Sequence, residues 1–301
     1  MSSTIIRTDQ LCYNYTKGVS TLTDIHLQVN RGDIYGFLGP NGSGKTTTLS
    51  LLLGLLKTQH GTIEILGKDL QHHRKEVLRK VGSLIESPSL YNHLTAKENL
   101  EVYREIYGAS KARLQGVLNI VGLSDTGKKT VRQFSLGMRQ RLSIALALLP
   151  KPELLILDEP TNGLDPAGIL ELRSLIRSLN KEEGITFLIS SHILSEVEKM
   201  VNRIGIIYKG RMRFQGSLGE LHKLQQQQSL VQLDTSDNLR AWAVLKKFQA
   251  ELQDEDLVVP YTDLAQVAII NRMLIDNDLD VYNLHPRKQT LETIFINLTT
   301  E

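Results

Sequence analysis

The sequence predicts an α/β fold in two parts. The first is a mainly parallel sheet with helices on its faces, interrupted by a helical insert, and the second is a small C-terminal α/β domain. Three observations carry this expectation. Short apolar runs at 34–38, 62–66, 81–85, 154–157 and 185–189 alternate with helical patterns, as a parallel sheet with crossover helices requires. From about 88 to 150 the pattern is helical throughout: 98–107 and 111–121 are amphipathic, and 136–149 is strongly apolar. Near Gly216 the composition shifts, and glutamines 225–228 read as a solvated linker or helix end. The expected domains are therefore 1–217, with the insert at about 88–150, and 218–301.

Taken in chain order, residues 4–29 hold short strand-like runs in which Leu22, Ile25, Leu27 and Val29 partly alternate. A buried strand at 34–38 then leads into Gly39-Pro40-Asn41-Gly42-Ser43-Gly44-Lys45-Thr46, with a helix expected over 47–56. In this G-x-x-x-x-G-K-[ST] pattern, glycines let the backbone turn tightly and aim N–H groups at phosphate oxygens. Lys45 places an ammonium between the outer phosphates of a nucleotide triphosphate, and the Thr46 hydroxyl suits Mg²⁺. The nucleotide-contacting stretch runs from Gly39 through Thr47, where the helix N-terminus faces the anion.

After the insert, Leu154-Leu155-Ile156-Leu157 ends in Asp158-Glu159. A buried strand of this kind delivers two acids to the sheet edge. Asp158 suits Mg²⁺ through water, and Glu159 suits the polarisation of a water that attacks the γ-phosphorus. An apolar strand ending in two acids is common at solvated strand ends; the upstream glycine loop is what gives the pair meaning. A helix at 167–180, a strand at 185–189 and a hairpin of 204–208 with 211–214, joined at Lys209-Gly210, close the first domain. In the tail, strands are expected at 230–233 and 279–282, and helices at 239–248 and 264–274. A last helix buries Leu291, Ile294, Phe295 and Leu298 on one face.

Bulk composition narrows the function classes. With 301 residues, 41% hydrophobic and 23% charged, the chain is ordinary for a globular protein, and a net charge of +2 gives no general electrostatic case for nucleic acid. Cys12 is the only cysteine, so no intrachain disulfide forms, which fits a reducing compartment. Residues 1–7 lack the basic start and apolar run of a signal peptide, and the densest apolar stretch, 49–56, is too short to span a bilayer. Any link to a membrane is expected to run through a partner.

Between and beyond the two phosphate elements lie Phe134-Ser135-Leu136-Gly137-Met138-Arg139-Gln140-Arg141, Thr161-Asn162-Gly163-Leu164-Asp165-Pro166 and Ser190-Ser191-His192. With the glycine loop and the Asp158-Glu159 strand, these resemble, in the same order, the signature motif, D-loop and switch histidine of ATP-binding cassette (ABC) ATPases. The resemblance covers about residues 4–216. It implies a P-loop NTPase fold of ABC type, with an antiparallel β part and an inserted helical subdomain. It also implies ATP hydrolysis with Mg²⁺ by a homodimer in which Ser135 and Gly137 grip the γ-phosphate held by the opposite copy. By the same resemblance His192 contacts the γ-phosphate, Asp165 lies at the dimer seam, and Tyr15 lies under the adenine, with Tyr13 as the competing candidate.

Two departures point to a subgroup. The signature has Leu136 and Met138 where the family has glycine and glutamine, and Glu86, in Ile85-Glu86-Ser87-Pro88, replaces the family's Mg²⁺-ligating lid glutamine. Together with the tail segment Leu291-Glu292-Thr293-Ile294-Phe295, these are similar to the ATPases of bacitracin- and lantibiotic-resistance exporters. The implied function is the ATPase subunit of an exporter of peptide antibiotic, drug or lipid, at the cytoplasmic face of a bacterial membrane. It would work with a separate permease and without nucleic acid. Residues 89–95 read either as part of the permease-docking surface or as a loop entering a helix capped by Thr95. A soluble ABC ATPase of translation or DNA, and a nucleotide-sensing regulator, are the alternatives.

Overall fold

A computed structural model describes residues 4–16, 18–85, 90–227, 229–253, 256–287 and 289–300. The chain divides into two compact units, Met1–Gly216 and Ser217–Glu301. Glu86, and with it Ser87, Pro88 and Ser89, lies outside the described residues.

The first unit runs β1 (Thr4–Tyr13), β2 (Leu22–Ile25), β3 (Gln28–Asn30), β4 (Ile34–Leu38), α1 (Lys45–Leu52), β5 (His60–Ile65), β6 (Lys68–Asp69), α2 (Leu70–Leu78) and β7 (Val81–Leu84). It continues with α3 (Ala96–Tyr107), α4 (Lys111–Ile120), α5 (Leu136–Leu148), β8 (Leu154–Leu157), α6 (Pro166–Glu183), β9 (Thr186–Ser191), α7 (Leu194–Val197), β10 (Arg203–Tyr208) and β11 (Arg211–Ser217). Two sheets form. One is an antiparallel layer in the order β2-β1-β5-β6, with β3 also on β1. The other has the order β11-β10-β4-β9-β8-β7, and β10, β4, β9, β8 and β7 are mutually parallel.

Helix α1 shares one core with both sheets. Leu49, Leu51 and Leu52 are buried in the same cluster as Ile6, Ile63 and Ile65 of the antiparallel layer and Phe37, Ile156 and Leu188 of the parallel one. Each such side chain contributes about 1.5–3 kcal/mol on burial, so the helix behind the glycine loop is held from two sides. Its limits differ from the expected 47–56. Gly44, at φ 109°, is its N-cap, so the helix begins at Lys45. Gly54, at φ 61°, turns the chain out soon after Leu52.

The insert holds α3, α4 and α5, each started by its own cap. Thr95 and Glu98 form a capping box at α3, in which Thr95 Oγ1 accepts from Glu98 N and Glu98 Oε2 accepts from Thr95 N. Ser110 Oγ accepts from Arg113 N at α4, and Ser135 Oγ from Met138 N at α5.

The second unit contains α8 (Leu218–Gln227), β12 (Leu230–Thr235), α9 (Asn238–Leu245), β13 (Glu251–Gln253), β14 (Asp256–Pro260), α10 (Leu264–Ile275), β15 (Val281–Arg287) and α11 (Leu291–Thr300). Its sheet has the order β13-β14-β12-β15 with every neighbour antiparallel, a split βαβ arrangement. Val231, Leu233, Leu257 and Val259 pack with Ala241 and Leu245 of α9 and Ile270 and Leu274 of α10. Sequence reading missed β13 and β14, because neither alternates: Glu251 and Leu252 are both exposed, and Leu257, Val258 and Val259 are all buried. It also placed β15 too early, at 279–282. Glutamines 225 and 226 lie in the last turn of α8, so a helix end is the correct description.

Glu153, just before β8, joins three segments. It accepts from Lys80 Nζ and from Arg31 Nη1, each at 2.7 Å. Lys80 first, and then Arg31, hold its carboxyl below the ordinary value of 4.5. An acid depressed on folding stabilises the protein above its ordinary pKa, and that contribution is lost as pH falls through the lowered one. Glu153→Gln should therefore lower Tm at neutral pH by about 1–3 °C. The gap from wild type should close as the pH is taken below 4.5, as thermal melts across the acid range would read.

Candidate active site

The site is built where β4, β8 and β9 end together. β4 is buried along its whole length and releases the chain into the glycine loop. Gly39 is required by space, because a Cβ there would stand 2.3 Å from Ile207 O and 2.5 Å from Ser43 Oγ. Gly44 is required by both space and backbone, with Leu22 Cδ2 2.5 Å from a would-be Cβ and φ at 109°. Gly42, at φ 77°, has open space around it and is required by backbone alone.

Lys45 is only 6% exposed. Its ammonium donates to Gly39 O at 2.7 Å and Pro40 O at 3.3 Å, and lies 3.3 Å from Glu159 Oε1. Thr46 Oγ1 donates to Asp158 Oδ2 at 2.8 Å, which ties the start of α1 to the end of β8 across the intervening β9. Ser43 Oγ is buried and makes no hydrogen bond. A hydroxyl with its donor unspent beside a buried ammonium suits the oxygens of a bound phosphate chain.

β9 supplies the link between the acids. Ser190 Oγ donates to Asp158 Oδ1 and accepts from Glu159 N at 2.9 Å. Glu159 has φ 46°, a left-handed backbone that costs a non-glycine residue about 1–3 kcal/mol, and the bond from its own N–H to Ser190 helps to hold it there. Its carboxylate then spans two partners, Lys45 through Oε1 and His192 Nδ1 through Oε2 at 2.9 Å. Lys45, Thr46, Asp158, Glu159 and His192 are thus joined, through Ser190, in one connected network.

Tyr15 lies at the rim. Its hydroxyl is 3.3 Å from Thr47 Oγ1, its ring is 63% exposed, and it meets Tyr13 edge-on. Tyr13 packs partly buried against the core, so of the two rings Tyr15 is the one that presents an aromatic surface beside the loop. Pro40 and Asn41 form the outer turn of the loop, where Ser43 N donates to Pro40 O.

Ser135, Gly137 and Asp165 form a second cluster. Ser135 caps α5 and is exposed, and Asp165 caps α6 by accepting from Gly168 N at 3.0 Å. Leu136 packs against the second segment, its Cδ2 2.9 Å from where a Cβ on Gly163 would stand, and glycine is favoured there by a φ of 76°. No hydrogen bond joins these residues to the glycine loop among the described residues.

Ser190 is the member of the network that sequence reading passed over in favour of His192. A signal was present, since two hydroxyl residues end an otherwise apolar strand, Phe187-Leu188-Ile189-Ser190-Ser191. Their meaning depends on β9 lying between β4 and β8. Ser190→Ala should lower the turnover rate about tenfold or more while changing nucleotide affinity little, and Ser190→Thr should restore part of it. Equal kcat for wild type and Ser190→Ala, in a phosphate-release assay, would show that this hydroxyl positions nothing.

Residues 22–162 match the family described as ABC transporter. Across 98% of its length the chain is 44% identical to the bacitracin transport ATP-binding protein BcrA of Bacillus licheniformis, covering 97% of that protein. It is 48% identical to the lantibiotic transport ATP-binding protein SrtF of Streptococcus pyogenes over 64% of this chain and 82% of that one. Among solved structures, the dimeric post-hydrolysis state of the ATP-binding cassette MJ0796 bound to ADP and Pi matches 71% of this chain and 99% of its own. The TM-score is 0.63 at 25% identity.

Proposed function

Since the chain belongs to the ABC transporter family as an ATP-binding subunit that hydrolyses ATP to drive transport, we propose that it powers an exporter of a peptide antibiotic, drug or lipid. It acts at the cytoplasmic face of a bacterial membrane, on a separate permease. No helix among the described residues is long and apolar enough to cross a membrane. The observation that carries the reading is the single network of Lys45, Thr46, Asp158, Glu159 and His192 at the glycine loop. A role on ribosomes or DNA finds no support in a net charge of +2.

The residues divide the work. The loop N–H groups between Asn41 and Thr47, the Ser43 hydroxyl and the Lys45 ammonium bind the triphosphate and stabilise charge on it, and the exposed face of Tyr15 stacks on adenine. Thr46, and Asp158 through water, would hold Mg²⁺. Among the described residues there is no group of three or more His, Cys, Asp and Glu that would form an all-protein cage. One hydroxyl and one carboxylate therefore fit an ion that keeps its waters and takes the rest of its shell from phosphate. That ion supplies charge neutralisation at the outer phosphates. Glu159 polarises the attacking water, and His192, hydrogen-bonded to it, orients it. Ser135 and the N-terminus of α5 at Gly137 bind the triphosphate of a second copy, with Asp165 at the seam, so two identical chains complete two sites.

Glu159→Gln should retain ATP binding, lose about 10²-fold or more in turnover, and run as a dimer with ATP on size exclusion. Rapid phosphate release by that variant would count against the water-activating role.

Glu86 is assigned as a further ligand that senses Mg-ATP and passes closure to the permease. Its alanine variant should lose ATPase activity and transport together, and normal rates of both would remove the assignment.

The permease is assigned to a cleft of 330 Å³ bounded by Leu53 and Leu55 after α1, by β7, by Tyr103 and Tyr107 of α3 and by the end of α5. It offers both apolar side chains and polar groups to an incoming helix. Residues 90–95 enter α3 as a turn held by Asn99 and by Val131 and Arg132, with Tyr91 exposed as a further contact.

A further inference from the structure

Beside that cleft the surface becomes cationic. Helix α2 carries Leu-Gln-His-His-Arg-Lys-Glu-Val-Leu and is followed by Arg79-Lys80. It buries only Leu70 and Val77, so its polar residues face outward. Two of its charges are spoken for. Glu76 pairs with Lys68, which holds its carboxyl below the usual range, and Lys80 pairs with Glu153. Arg74, Lys75 and Arg79 form no ion pair among the described residues, and neither does Lys57 beyond the end of α1.

These four cations border two open depressions. One lies between α2 and the end of α3, where Arg74, Lys75 and Arg79 face Ile106 and Tyr107. The other lies between the end of α1 and α2, where Lys57, His72 and Arg74 face Leu55. No aspartate or glutamate lines either one, and the nearest carboxylate, Asp69 beside the second, is taken up by His72. Ile106, 70% exposed, stands proud of the same surface, and Leu55 and Tyr107 at the rim of the permease cleft border it.

We infer that this strip binds the anionic phospholipid headgroups of the membrane. The inference rests on the reading of the chain as a transporter subunit and names a second contact for it, with the bilayer itself. Cations on long stems beside exposed aliphatic and aromatic side chains are the composition of an interfacial membrane contact. Guanidinium groups take phosphate oxygens two at a time, and a lysine serves as a point charge. The charges are spread over two open depressions and do not line one closed groove. That distribution suits a fluid array of phosphates better than a single acidic peptide with fixed spacing. Such a contact would hold the ATPase near its permease while the dimer opens and closes.

Flotation of the full chain with vesicles tests this, using phosphatidylcholine alone or mixed with phosphatidylglycerol, at low and high salt. The chain should float with the anionic vesicles at low salt and be released by high salt. An R74E/K75E/R79E variant should bind about tenfold less or worse while hydrolysing ATP in solution at the wild-type rate. Absence of flotation, equal binding to neutral vesicles, or unchanged binding by the variant would each overturn the inference. So would a variant that loses only its grip on a permease embedded in neutral lipid, which would assign these cations to a protein partner. Failure of the transporter reading looks different: the wild-type chain would co-purify with no integral membrane protein, whatever the vesicles show.

Discussion

Asp158 and Glu159 leave β8 side by side as two carboxylates that would repel each other and any incoming phosphate. The Ser190 hydroxyl keeps them apart and aimed: it gives its proton to the first and takes the backbone N–H of the second. Asp158 is thereby turned toward Thr46, and Glu159 is held in a left-handed backbone that points its carboxylate between Lys45 and His192. This division depends on β9 running between β4 and β8, because only a middle strand can touch both the loop and the acids.

The same economy governs the glycine loop. A lysine ammonium in a site 6% exposed is costly unless every donor finds an oxygen, and here the loop's own carbonyls and Glu159 provide them. The helix behind the loop cannot shift, since its leucines are fixed between two sheets. Binding energy from a triphosphate is therefore spent on the charge network and not on ordering the backbone. The exposed second cluster, Ser135 with Asp165, is built on a different footing: helix caps and a leucine packed over a glycine hold it in shape and leave its donors outward. Leu136, which departs from the family's signature, makes that packing.

Much of the site was legible in the residues. Gly39, Gly44, Lys45 and Thr46 announce an anion loop because few other residues tolerate such a turn and supply such donors. Asp158-Glu159 at the end of four apolar residues announces a buried strand with a charged tip. Ser190 was not legible, because a serine after three apolar residues reads as a strand end until its neighbours are known. Nor were β13 and β14, whose burial does not follow a two-residue alternation. The end of α1 at Leu52 was also hidden, since Leu53, Leu55 and Leu56 continue the apolar pattern past a glycine whose left-handed turn shows only in the backbone.

Local chemistry determined which groups this chain can bring to a phosphate: spacing and residue type select a loop, a strand tip and two capped helices, and each is encoded within a dozen residues. Only the tertiary structure decided which of them meet. Strand order is a contest among long-range pairings that a linear pattern does not record. The order β4-β9-β8 puts a hydroxyl between two acids.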